Sequence, residues 1–161
     1  TLVGLCHLLK YFAALCLSLS AFGASPPVYK GPPVIEDAAQ CDENKNLMGE
    51  TDHEVIYLCP DNILSQDEDI NLVLNHEIIH IIHYNFGLRD DETIIPEPYF
   101  SDLVREHLDP SEVLLVITTP GYAEYQNQEL EARLLSRLPR DVIMFVLAAS
   151  EDYGTNSSNT P

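Results

Sequence analysis

Residues 65–87 read SQDEDINLVLNHEIIHIIHYNFG, and the fold hangs on them. Ser65 and Glu68 have the spacing of a capping box, in which each side chain bonds the other's backbone amide, so a helix is expected to start at Ser65. Its apolar residues, Ile70, Val73, Leu74, Ile78, Ile81 and Ile82, continue to Gly87, a natural residue just past a helix end. They fall nearly all round the helix rather than on one stripe, which predicts a buried element. Within it stands His76-Glu77-Ile78-Ile79-His80, an HExxH. Positions i and i+4 share a helical face, so both imidazoles can point at one ion. Zinc accepts neutral imidazole nitrogens in tetrahedral geometry. Glu77 is then placed to take a proton from a metal-activated water, whose pKa the ion lowers towards about 7. Two histidines and a glutamate in so apolar a helix are costly unless they are partnered. The competing reading is a pair of core histidines satisfied by hydrogen bonds.

Working outward, residues 54–59 (EVIYLC) are β-branched and aromatic between turn-forming neighbours, which predicts a strand. Val34, Ile35 and the region around Leu47 are the candidates to pair with it. Residues 90–98 form an acidic loop with two prolines, and residues 99–108 suggest a short helix. Asp109-Pro110-Ser111-Glu112 marks another helix start, although the β-branched residues between 113 and 117 weigh against it. After Pro120-Gly121, residues 122–138 have good helix formers, and a last helix is expected over residues 142–149. The fold class expected is α+β, a small β layer followed by a mostly helical body.

The ends have a different composition. Residues 1–24 carry no acid and one basic residue, Lys10, followed by the short apolar run YFAALCLSLSAF and small residues. That describes a secretory signal peptide, too short to span a bilayer comfortably, with an uncleaved N-terminal helix as the alternative. Residues 25–33 (SPPVYKGPP) read as an extended Pro-rich segment, residues 34–153 as the folded domain, and residues 154–161 as a disordered tail. Export suits the cysteines: beyond the leader only Cys41 and Cys59 remain. In an oxidising compartment they are expected to pair, worth roughly 3 kcal/mol for a loop of this length. Two buried free thiols are the alternative. The expected location is secreted or periplasmic, with no stable membrane insertion once the leader is cut.

Charge narrows the partners. The 161 residues carry 8 Lys+Arg against 26 Asp+Glu, a formal charge of −18. Such a surface repels phosphate backbones and anionic lipid heads, so nucleic acid is excluded as a partner and a protein or peptide substrate is expected.

The stretch from Val73 to Ile82 resembles the extended signature of the zincins, zinc metallopeptidases in which such a helix lies under a sheet edge that binds substrate. The order of Cys41, Cys59, capped helix and HExxH is similar in layout, over about residues 41–83, to the mitochondrial inner-membrane peptidase family that processes an ATP-synthase subunit. The later cysteine-bearing segment of that family is absent here. The resemblance implies a minimal zincin-like domain and peptide hydrolysis, with Zn2+ on His76 and His80 and Glu77 as general base.

A third ligand must come from elsewhere. His83 and Phe86 stand where the metzincin pattern has Gly and His, which excludes that class. His83 itself lies roughly 10 Å along the axis from His76, too far to share one ion. The gluzincin pattern, a Glu from a later helix, points to Glu131, which shares a stripe with Leu134, Leu135 and Leu138. Glu124 is the runner-up on that stripe, while Glu129 lies about 200° from Glu131 and is expected to be wetter. A solvated acidic helix face is the plain alternative. Tyr122, Tyr125 and His107 are candidates for the group that steadies developing negative charge. Two functions stay open: a secreted zinc metallopeptidase, or a non-catalytic zinc-binding or inhibitor-type exported module.

Overall fold

The computed structural model describes residues 31–36 and 39–157. The expected signal peptide lies outside the described residues, as do most of the Pro-rich segment and the last four residues. The architecture is α+β, a three-stranded sheet followed by a helical body. Its elements are β1 (Val34–Glu36), α1 (Ala39–Glu43), β2 (Gly49–Thr51), β3 (Ile56–Leu58), α2 (Pro60–Ser65), α3 (Ile70–Asn85), α4 (Tyr99–His107), α5 (Pro110–Thr118), α6 (Gln126–Leu135) and α7 (Arg140–Ser157). A 3-10 turn, Pro120–Tyr122, joins α5 to α6. Among the described residues no helix is long and apolar enough to cross a membrane.

The strand read over residues 54–59 narrows to β3, the centre of the sheet. β1 lies parallel to it, with Val34 opposite Ile56, and β2 antiparallel, with Gly49 opposite Leu58. Ile56 and Leu58 face the core while Tyr57 between them is half-buried, the period of two of a strand covered on one face. Cys41 on α1 and Cys59 after β3 stand at disulfide distance, with Cα atoms 5.4 Å apart, and tie α1 to the sheet.

Helix α3 is the axis of the molecule. Its start is not at Ser65, which ends the short helix α2 and donates to the Asn62 carbonyl at 2.8 Å. Pro60 opens α2 and preorganises that turn, so the capping-box residues are taken up elsewhere. Asp69 caps α3 instead, its Oδ1 accepting the Asn71 amide at 2.8 Å. At the other end Gly87 takes φ +67, and the Leu88 and Gly87 amides bond the His83 and Tyr84 carbonyls. This is the Schellman closure that a left-handed glycine permits.

Ile78, Ile79, Ile81 and Ile82 are buried, packed between the sheet, α6 and α7. Two polar ties fix the register: Asn75 Nδ2 donates to the Ser136 carbonyl at 2.8 Å, and Asn85 Nδ2 to Ser150 Oγ at 3.1 Å. α5 does form, because Asp109 and Glu112 make a reciprocal capping box with Pro110 in the first turn. The helix expected over residues 122–138 is shorter. It begins at Gln126, which leaves Glu124 exposed in the preceding turn. α7 is longer than expected and carries helical backbone through Ser157.

Candidate metal centre

Three side chains from two helices converge. His76 and His80, one turn apart on α3, bring their Nε2 atoms within 3.0 Å of each other. Glu129 on α6 places Oε2 at 3.3 Å from His76 Nε2 and 3.4 Å from His80 Nε2. A tetrahedral shell with bonds of about 2.0–2.1 Å separates neighbouring ligand atoms by about 3.3 Å. The three edges fit one face of such a shell. His76, His80 and Glu129 thus form a group able to hold a metal ion.

Glu131, expected as the third ligand, is turned elsewhere, and Glu129 takes its place beside the histidines. The inference that Glu131 points inward is right; the inference that Glu129 is therefore wet is not. α6 is packed by α3, α4 and α5, so the four successive residues Glu129, Leu130, Glu131 and Ala132 are all buried. Glu131 is completely buried and accepts three hydrogen bonds, from the Ile94 amide (2.9 Å), the Ile95 amide (2.8 Å) and His83 Nε2 (2.8 Å). His83 therefore stands apart from the metal group, as its distance along the helix predicted.

Arg133 holds Glu129 in place and was not anticipated. It lies one turn after Glu129, and its Nε and Nη2 each reach Glu129 Oε1 at 3.1 Å. That occupies one carboxylate oxygen and leaves the other for the histidines, as partners of metal ligands commonly do. The signal was present in the sequence as the i, i+4 spacing of Glu129 and Arg133.

Electrostatics follow from burial. Burial pushes the Glu129 carboxyl up, but the His76 and His80 rings outweigh it and hold the group well below the usual carboxylate range. His80 is pushed down to about 4, chiefly by burial and also by neighbouring His76, against the pull of Glu129. His76 is opposed by burial too, yet the Glu129 carboxylate carries it above its ordinary value. Glu129 thus favours the charged form of His76, while burial favours the neutral form of His80. Glu77 is 6 % exposed, and burial lifts its carboxyl to about 7, with Glu129 and Glu50 adding and His76 opposing.

Glu77 is held beneath β2. A methyl group on Gly49 would come within 2.9 Å of Glu77 Oε1 and 3.0 Å of Val73 Cγ1. With glycine at this position the strand approaches the helix without pressing on those side chains. Among the described residues β2 is an edge strand with no partner on its outer side, so the candidate metal group lies beneath a sheet edge.

Two hollows open on either side of the group and share Leu47, Gly49, His76, Glu77, Tyr122 and Glu129. Together they form one cleft. Tyr122 borders both hollows; burial and then Glu129 raise its hydroxyl above the ordinary value. Tyr125 borders the larger hollow and His107 neither. No family model matches this chain, and no curated protein or solved structure matches it significantly.

Proposed function

We propose that this chain is a secreted zinc-dependent peptidase that uses Glu77 to activate water. The observation that carries the reading is the meeting of His76, His80 and Glu129 beside a buried, proton-accepting Glu77 under an open strand edge. The donor set, two imidazoles and one carboxylate, is that of a catalytic zinc site with a position left for water. The zincin-like signature, the disulfide-distance cysteine pair and the leader-like first residues support the same assignment. A zinc ion on these three side chains would supply an acidified water and polarise a peptide carbonyl.

The protein's own residues do the rest. Glu77, buried next to His76 on α3, is placed to accept a proton from water and return it to the departing amine. Gly49 sets the distance between that carboxylate and the strand above it. The free side of β2 presents backbone groups on which an extended peptide can pair, bringing a carbonyl into the cleft. Tyr122, between the hollows, offers an O–H to the carbonyl oxygen as it gains negative charge.

Hydrolysis of an unstructured protein by the zinc-loaded chain, compared with Glu77→Gln, tests the reading. The expected result is cleavage lost in the variant with zinc retained. Zinc retained by both and no cleavage by wild type would overturn it and leave a non-catalytic zinc-binding module.

A further inference from the structure

The two halves of the cleft differ in charge. On one side Arg133 and Arg137 line the wall, but each is already engaged, Arg133 by Glu129 and Arg137 by both oxygens of Glu112 at 2.7 and 2.8 Å. The other side is a hollow of about 600 Å³, and among the described residues no Lys or Arg lines it. Its walls carry the carboxylates of Glu50 and Asp90 and the aromatic rings of His53, Tyr84 and Tyr125. His53 and Tyr84 are stacked in parallel with ring centroids 4.1 Å apart, joining the turn after β2 to the end of α3. At the base lies His83, 2 % exposed, its Nε2 occupied by Glu131 and its Nδ1 without a partner among the described residues.

Aromatic faces attract cations through the ring quadrupole, and carboxylates at the rim do so through charge. A lysine or arginine side chain meets both, with its apolar stem against the rings and its head at the carboxylates. An acidic side chain placed at that rim meets the like charges of Glu50 and Asp90. We infer that the larger hollow is a specificity site for a basic side chain, so that the peptides bound in this cleft carry Lys or Arg on one side of the bond at the metal. The inference rests on the cleft being a peptide site, as proposed above. It adds the class of peptide and the residues that select it, Glu50 and Asp90 with the His53–Tyr84 stack. The overall charge of −18 would favour cationic partners anywhere on the surface, so the test must separate the hollow from the surface.

The probes are N-acetylated, C-amidated peptides of one sequence that differ only in carrying Lys, Gln or Glu at a single position. Capping removes the terminal charges as an alternative source of the cation. Binding to the zinc-loaded full chain is read by fluorescence anisotropy and cleavage by mass spectrometry. The Lys peptide is expected to bind and be cleaved best. The double variant Glu50→Gln/Asp90→Asn should lose roughly fivefold of the Lys-over-Gln preference, whereas Glu43→Gln/Asp61→Asn, which removes the same charge away from the cleft, should keep it. A preference lost equally in both variants would overturn the inference, assigning it to the surface at large. Cleavage without Lys preference would overturn it while leaving the peptidase reading intact. Preferential binding without cleavage would uphold the hollow and overturn the peptidase. Neither binding nor cleavage of any peptide would overturn both.

Discussion

Glu129 and Glu131 are two residues apart on one helix, and both carboxylates are buried, yet they do different things. One faces two imidazoles across 3.3 and 3.4 Å; the other is spent on two backbone amides and His83. The single atom Glu129 Oε2 makes His76 and His80 a candidate metal group rather than a polar pair. Gly49 is the second decisive residue. Gly49→Ala would place a methyl 2.9 Å from Glu77 Oε1, so the carboxylate or the strand must move. Turnover is expected to fall roughly ten- to hundredfold with zinc still bound. Unchanged turnover would show that Glu77 does not act from this position.

The pH dependence of metal binding belongs to the same scale. An ion needs neutral imidazoles, and against burial Glu129 raises His76, so its proton competes with the ion up to a higher pH than for a free imidazole. Glu129 is held below and His80 at about 4, so neither contributes a proton near neutral pH. In a Glu77→Gln background, zinc affinity should therefore rise about tenfold per pH unit towards the His76 value, above 6.5, and then level off. Competition titrations against a chelator between pH 6 and 8 would read the slope. A flat profile from pH 6 would mean that His76 is already neutral.

At the scale of elements, α3 was the most legible part of the chain. HExxH at i and i+4, the Ile-rich flanks and Gly87 foretold a buried helix, its paired histidines and its end. Its start was misread because Ser65 and Glu68 have capping-box spacing, while Pro60 had already begun a short helix that uses Ser65 as its last residue. The burial of Glu129 was misread for a related reason. Stripe arithmetic assumes one buried face, and where α6 passes between α3, α4 and α5 four successive residues are buried. Periodicity reports which residues face one another along a helix, not how many neighbours a helix will have.

Glu131 then appears as a clamp that ties the loop before α4 to the core. Glu131→Gln would set an amide N–H2 against backbone donors and leave at least one of them unpaired, at a cost of about 1–3 kcal/mol. Amide exchange at Ile94 and Ile95 should quicken while exchange within α3 stays slow. Unchanged protection at those two amides would refute the clamp.

For the whole molecule, few strands and one long axial helix must hold together a chain with 26 acidic residues. Cys41 and Cys59 pin the sheet end, where the strands are only three residues long. Replacing both by serine should cost roughly 3 kcal/mol of unfolding free energy, read as a lower denaturant midpoint. An unchanged midpoint would mean that the sheet needs no such tie. His76, His80 and Glu129 link the other interface, between α3 and α6. The candidate metal group thus stands where the helical body meets the edge strand β2.

Metal content by mass spectrometry on the purified chain, with Glu129→Ala and Glu131→Gln prepared in parallel, tests the assignment of His76, His80 and Glu129 most directly. The account predicts about one zinc per chain in wild type and in Glu131→Gln, and none in Glu129→Ala. Zinc kept by folded Glu129→Ala and lost from folded Glu131→Gln would contradict it.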